Sequence, residues 1–262
     1  MSVTRLFVEA NLSEGSDIAL SESQAHHLRH VMRRSDGAPL VLFNGRDGEW
    51  RATLAHSGKK AANARVGQRT REQGGEPDLW LCFAPIKRAR IDLVAEKATE
   101  LGVSVLQPVL TQHTAVERVN VDRLQANARE AAEQTERLSV PEVRAPIDLM
   151  KLLGAWPAGR RVLMCDETGG GPPIAEALKS LDEAARTAPW AVLVGPEGGF
   201  AADELTHIRR IKDVTSVGLG PRILRADTAA LAALSVWQAL VGDWQRPTPR
   251  LAADYRTSRA PD

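Results

Sequence analysis

Two glycine-marked segments near the C-terminus carry the residues best placed for chemistry. The first, WAVLVGPEGGF, occupies residues 190–200, and the second, VGLGPRILRADT, occupies 217–228. Each is an apolar run that stops at a Gly-Pro break and passes into a helix-like segment. Two such turns can wall one pocket at the carboxyl ends of neighbouring parallel strands, where open α/β sheets put their ligands. Other chemistries lack their residues: there is no GxGxxG after a strand, no P-loop, no HExxH, no CxxC and no GxSxG. The stretch Gly169-Gly170-Gly171-Pro172-Pro173 is glycine-rich, but its two prolines offer no N–H to a phosphate, so it reads as a loop. His26 and His30 lie four apart on a helix with no carboxylate or cysteine at ligand spacing, so no metal site is expected.

The elements that must position these turns alternate. From residue 79 onward strands are expected at 79–84, 105–110, 161–165, 190–194 and 214–219. Helices are expected at 87–101, 122–138, 174–185, 202–211 and 228–244. Asp122 reads as an N-cap and Gly102 as a C-cap glycine. This alternation predicts an α/β domain with a largely parallel sheet. The last helix is apolar almost all round, which makes it either a central core helix or a core helix that also packs on a second subunit. Residues 247–262, rich in proline, arginine and small residues, read as a mobile tail.

The first 73 residues differ. Short strands are expected at 5–8, 40–43, 49–54 and 62–68, separated by Asp36-Gly37, Asn44-Gly45 and Asp47-Gly48 turns. Ser21 to Gln24 has capping-box spacing and opens a helix with Ala25, Leu28 and Met32 on one face. These features suggest a small barrel-like domain over 1–73. The polar, glycine-broken stretch 71–78 then leads as a linker into a second domain over 77–246.

With 262 residues, 43% of them hydrophobic and a formal charge of only +1, the chain can build a real core, and any nucleic-acid surface must come from local clustering. Cys82 and Cys165 each sit inside an apolar run and read as buried thiols in a reducing compartment. No secretory signal or membrane-length apolar run is visible, so the cytoplasm is expected, with no membrane partner.

Six segments together resemble one family: HHLRHVMR at 26–33, LFNGRDGEW at 42–50, KATELGV at 97–103, EAAEQTERLSVPEV at 130–143, LVGPEGGFAADEL at 193–205 and LGPRILRADTAAL at 219–231. They are similar to the ribosomal small-subunit methyltransferase E family, within the SPOUT class of S-adenosylmethionine-dependent RNA methyltransferases. The resemblance implies an α/β fold whose C-terminal SPOUT domain is tied as a trefoil knot, preceded by a small N-terminal PUA-like β-barrel. It also implies a homodimer, and methylation of uridine N3 in 16S ribosomal RNA (uridine 1498 in rRNA numbering) within the 30S ribosomal subunit. Where the family usually has glutamate, this chain has Asp227.

The resemblance gives the two turns a ligand. Leu193, Gly195, Pro196, Glu197, Gly198 and Gly199 on the first turn, with Leu219, Gly220, Pro221, Ile223 and Leu224 on the second, are the expected cofactor-binding residues. The glycines permit close main-chain approach, and the leucines and Ile223 wall the adenine. Arg225 and Glu197 are the expected catalytic residues. Arg225 either stabilises the uracil anion or pairs with Asp227 or a glutamate. Glu197 either takes the proton, steadies the cationic cofactor, or satisfies N–H groups at a helix start. Arg137 either lies near substrate or pairs with Glu133.

Two cationic clusters are candidates for holding RNA: Arg5, Arg29, His30, Arg33 and Arg34, and then Lys87, Arg88, Arg90 and Lys97. The alternative for each is a solvated helix face. Rival functions are the same fold acting on another RNA position, a non-catalytic RNA-binding or ribosome-assembly protein, and a small-molecule enzyme with an N-terminal cap.

Overall fold

The computed structural model describes residues 3–57, 61–116 and 118–245, without the side chains of Ser57, Arg88 and Ala89. The tail expected at 247–262 lies outside the described residues. The chain divides into two units: residues up to Gly75 join Ala132–Val140 in one, and Glu76–Ala131 joins the rest of the described chain from Pro141 in the other.

In the first unit five strands form one sheet: β1 (Thr4–Phe7), β2 (Asp17–Ala19), β3 (Pro39–Phe43), β4 (Glu49–Ser57) and β5 (Ala61–Arg71), in the order β1-β3-β4-β5-β2. β1 runs parallel to β3, and the other pairings are antiparallel. Leu6, Leu28, Leu42, Leu54 and Val66 are among the residues of its core. Helix α1 (Glu22–His26) starts at the expected capping box: the Ser21 hydroxyl accepts the Gln24 N–H, and the Gln24 side chain accepts the Ser21 N–H. The helix then widens into a π-turn over His27–Val31, in which Met32 donates to the His27 carbonyl. One extra residue in the turn shifts the phase of the side chains. Ala25 and Leu28 remain buried, whereas Met32, expected on the same face, is 37% exposed beside Val31 at 63%.

The LFNGRDGEW segment is a closed structural turn. Asn44 accepts the N–H groups of Arg46 and Asp47 and donates to the Ala10 carbonyl and the Asp47 carboxylate. Asp47 also accepts the Leu12 N–H, and these bonds hold its carboxyl below the usual range. Gly48 has φ +84, and a Cβ there would stand 2.2 Å from the Arg71 carbonyl oxygen.

The second unit is built on a parallel sheet in the order β12-β10-β11-β6-β7-β8, with β9 also paired to β7. The strands are β6 (Leu79–Phe83), β7 (Val105–Leu110), β8 (Glu142–Val143), β9 (Ile147–Asp148), β10 (Arg161–Cys165), β11 (Trp190–Val194) and β12 (Val214–Val217). β6 and β11 are buried at every position, as expected of parallel strands covered on both faces. The helices are α2 (Arg88–Glu100), α3 (Val121–Gln134), α4 (Leu149–Gly154), α5 (Ile174–Lys179), α6 (Glu183–Thr187), α7 (Ala202–Ile208) and α8 (Ala226–Leu240).

Several expectations change. The helix expected over 122–138 begins at Val121, where Asn120 rather than Asp122 receives the Arg123 N–H, and it ends before Glu136, whose φ is +60. The helix expected over 174–185 is two helices, because the Asp182 carboxylate accepts the Ala185 N–H and starts a second one. Gly102, at φ +83, follows α2 as expected and lies against Gln238 of α8, whose amide donates to the Leu101 carbonyl at 2.7 Å. The last helix packs on α2, α5 and β11. Cys82 and Cys165 are both buried, and burial pushes each thiol up to about 12, so neither is a thiolate nucleophile. Among the described residues no helix is long and apolar enough to cross a membrane.

Candidate active site

The two glycine turns leave the carboxyl ends of β11 and β12, but those strands are not neighbours: β10 lies between them. The β10–α5 connection, residues 166–173, therefore sits between the two turns and touches both. Toward β12, the Gly218 N–H donates to the Pro172 carbonyl at 2.9 Å and the Ile174 N–H to the Gly218 carbonyl at 3.1 Å. A Cβ on Gly171 would stand 2.4 Å from the Ser216 carbonyl oxygen. Glycine is needed there for backbone to pass backbone. Toward β11, the Glu167 carboxylate accepts the Phe200 N–H at 3.2 Å. Asp166, whose side chain is fully buried, accepts the Thr168 N–H and hydroxyl and faces Arg209 at 3.4 Å.

The first turn is braced from several directions. Pro196 to Gly199 closes on itself through the Gly199 N–H and the Pro196 carbonyl, with Gly199 at φ +71. A Cβ on Gly199 would lie 2.3 Å from the Glu167 carboxylate. His113, in the loop after β7, approaches the carbonyls of Gly198 at 3.1 Å and Gly199 at 3.0 Å through Nδ1. Glu204, buried in the first turn of α7, accepts the Ala201 N–H and the Gln112 N–H, each at 2.8 Å. Leu193, Gly195 and Pro196 are buried, while Glu197 and Gly198 are exposed. The helix-start duty considered for Glu197 belongs to Glu204, because α7 begins only at Ala202. Glu197 makes no hydrogen bond or ion pair among the described residues.

The second turn is open. The N–H groups of Gly220, Arg222, Ile223 and Leu224 have no partner among the described residues. Gly220 has φ +100, and among the described residues nothing lies within 4 Å of where its Cβ would be. Ile223 is 98% exposed, so among the described residues nothing packs on the side chain expected to wall a slot. Leu219 and Leu224 are half-buried. Arg225 precedes α8, is exposed and has no ion pair among the described residues. Asp227 pairs elsewhere: one carboxylate oxygen accepts the Thr228 N–H at 2.9 Å and the other faces Arg90 of α2 at 3.8 Å. The salt bridge considered between Arg225 and Asp227 is thus replaced by one that ties α2 to the start of α8.

The cationic clusters separate in the same way. Arg5 does not join an RNA-facing cluster: its side chain is 9% exposed, pairs with Glu49 at 2.9 Å, donates to the carbonyls of Ala132, Glu133 and Arg137, and covers the Phe43 ring. Burial lowers its pKa, and Glu49 opposes that shift. Arg137 is buried too and donates to Ser139, while Glu133 accepts the Phe7 N–H. His30 and Arg33 are exposed, with Arg33 at φ +52 and the His26 and His30 rings 4.7 Å apart. Arg29 and Arg34 are half-buried. In the second cluster Lys87 is exposed and Arg90 holds Asp227, while the Arg88 side chain lies outside the described residues. Lys97 is drawn off by its own helix, at 2.8 Å from Glu100 and 2.7 Å from Glu96, which raise its pKa. Both are surface pairs, with the Lys97 side chain 37% exposed. A cavity of about 630 Å³ lies at the opposite, amino-terminal edge of the sheet, beside Trp156, Arg160 and Asp213, and contains none of the glycine-turn residues.

A sequence profile of RNA methyltransferase domains matches residues 75–238, and one of RNA methyltransferase PUA domains matches residues 20–67. A ribosomal RNA small subunit methyltransferase E from Rickettsia conorii is 31% identical over 90% of this chain and 95% of its own length. The chain belongs to the ribosomal small-subunit methyltransferase E family. Another family member, from Synechocystis, is 30% identical over 90% of this chain and 78% of its own length. The family member from Neisseria gonorrhoeae, solved bound to S-adenosyl methionine, superposes with a TM-score of 0.82 at 27% identity, covering 93% of this chain and all of that one. A methyltransferase from Legionella pneumophila, solved with its bound cofactor SAM, gives 0.81 at the same identity and coverage. The methyltransferase E family thus supplies the α/β methyltransferase fold of the second unit and the PUA assignment of the first.

Sequence reasoning missed Glu167, His113 and Glu204. Glu204 carried one signal, its place three residues after Ala201, the residue that caps α7. Glu167 and His113 carried none, because their partners lie 33 and about 85 residues away in sequence.

Proposed function

We propose that this chain transfers a methyl group from S-adenosylmethionine to N3 of a uridine in 16S ribosomal RNA, at uridine 1498 in rRNA numbering, acting on the small ribosomal subunit in the cytoplasm. The observation that carries this reading is Arg225: an exposed guanidinium with no ion pair among the described residues, next to a row of unpartnered backbone donors. The reading includes the trefoil knot, the closed PUA-like barrel and the homodimer that the family implies. The half-buried Leu231, Val236 and Leu240 of α8 are available to a second subunit.

The residues fit the cofactor. An adenine reader needs main-chain donors beside apolar side chains, and the N–H groups of Gly220, Arg222, Ile223 and Leu224 stand beside Leu219 and Leu224. Gly195, Pro196, Gly198 and Gly199 form the facing wall, with the buried Leu193 behind the first turn and the exposed Pro221 on the second. When bound, S-adenosylmethionine supplies a methyl group activated by its sulfonium. Uridine N3 has no free lone pair until its proton leaves, and the charge then spreads onto O2 and O4. Arg225 donates to those oxygens and lowers the cost of that charge. Glu197, unpaired on the opposite turn, balances the positive sulfonium. In the first unit the exposed His27, His30, Val31, Met32 and Arg33 present cations and apolar surface together, as RNA contacts require. Lys87 contributes a phosphate contact in the second unit.

The test is methylation of naked rRNA and of assembled 30S subunits with labelled cofactor, followed by mapping of the modified base. The expected product is 3-methyluridine at one position. Label on another base or at another atom contradicts the assignment, and binding without transfer indicates a non-catalytic role.

A further inference from the structure

We propose that His113 is the proton acceptor for uridine N3. The inference rests on the methyl-transfer reading above and deepens it by naming a catalytic group that neither cysteine can supply.

The argument starts from the tautomer. Both partners of His113 Nδ1 are carbonyl oxygens, of Gly198 and Gly199, at 3.1 and 3.0 Å. Carbonyls only accept, so Nδ1 carries the hydrogen and Nε2 of the neutral ring carries the lone pair. Nε2 has no partner among the described residues, and His113 is exposed. The ring is therefore held by one corner against the cofactor-facing turn while its basic corner stays open.

The loop that carries the ring is fixed independently. Thr111 and Thr114 form a hydrogen-bonded turn around it, and the Gln112 N–H is held by Glu204. The carboxylates on the elements packed there are Glu197 on the turn that His113 grips, Glu167 bonded to Phe200, its neighbour Asp166, and Glu204 and Asp203 of α7, while Arg118 of its own loop, His207 and Arg209 are the other titratable groups, Arg209 facing Asp166 at 3.4 Å. Imidazole is a stronger base than a carboxylate at neutral pH, which favours His113 over Glu197 for this step.

The step balances. The N3 proton passes to Nε2. The N3 electron pair forms the new N–C bond as the methyl carbon's bond to sulfur breaks, and sulfur keeps that pair as a neutral thioether. Arg225 carries the transient charge on O2 and O4, and the imidazolium returns its proton to water.

The experiment uses His113→Asn, whose amide N–H can still donate to the two carbonyls while the basic nitrogen is gone. His113→Ala removes both functions. Single-turnover rates across pH are measured on 30S subunits, cofactor affinity by calorimetry, and the ring tautomer by long-range proton–nitrogen NMR of the wild-type protein without ligand. The Asn variant is expected to keep cofactor affinity within about twofold, to lose about 10²-fold or more in rate, and to lose the fall in rate toward acid pH. NMR is expected to show the Nδ1–H form. A wild-type rate and acid limb in the Asn variant, equal losses of affinity and rate, or an Nε2–H ring would each overturn the proposal and leave His113 as a positioning residue. Failure of the wild-type enzyme to make 3-methyluridine would instead strike the methyl-transfer reading.

Discussion

The two glycine turns of the second unit are built from similar residues and finished in opposite ways. In the turn of residues 195–201 the carbonyls of Gly198 and Gly199 and the N–H groups of Phe200 and Ala201 are taken up by the side chains of His113, Glu167 and Glu204. In the turn of residues 219–225 the N–H groups are open, Ile223 is 98% exposed and Arg225 is unpaired among the described residues. Exposed donors beside exposed apolar groups are met by water in the free protein and can be taken over by a ligand that offers acceptors and an apolar face. The difference teaches a division of labour. The braced turn is a fixed wall whose geometry the protein sets alone, and the open turn is completed by what binds.

Mutations can break this contrast at either turn. The largest effect is expected from Arg225→Ala, which removes the group aimed at charge that develops only during reaction. Single-turnover methyl transfer should fall by about 10²–10³-fold, with cofactor affinity nearly unchanged by calorimetry. A rate within threefold of wild type would show that the open turn serves binding only. Glu204→Ala attacks the bracing. It orphans the Ala201 and Gln112 N–H groups, so unfolding free energy from denaturant titration should drop by about 2–4 kcal/mol. Cofactor affinity should weaken alongside; full affinity would mean the wall does not need its brace. Gly199→Ala is expected to cost about 1–2 kcal/mol, because alanine resists φ +71 and its methyl would meet Glu167. Ile223→Ser should leave the melting temperature unchanged, since the side chain is 98% exposed among the described residues, while weakening cofactor or RNA binding severalfold. A lowered melting temperature would mean the open turn is packed after all.

How far the sequence revealed this molecule depended on the range of the interactions. β7, β10 and β11 begin and end where their apolar runs do, and Gly102 follows α2 as a helix-ending glycine should. The capping box at Ser21 is local and was legible. The π-turn that begins at His27 was not, because widening a turn by one residue leaves no mark on an apolar repeat. Lys97 shows a signal passed over: Glu96 and Glu100 stand beside it in the sequence and at 2.7 and 2.8 Å in space. Arg5 gave no warning, since the Glu49 that buries it lies 44 residues away. The site itself was half visible. Glycines and arginines announced the turns, but strand order placed β10 between them, and only that order explains why Glu167 reaches the Phe200 N–H.

The most direct test of this division is amide hydrogen exchange with and without saturating S-adenosylmethionine. The amides of Phe200 and Ala201 should already be slow in the free protein and change little. Those of Gly220, Ile223 and Leu224 should be fast when free and slow by at least tenfold when the cofactor is present. If the open-turn amides stay fast at saturation, or if the braced turn is the one that slows, the two turns do not divide the work in this way.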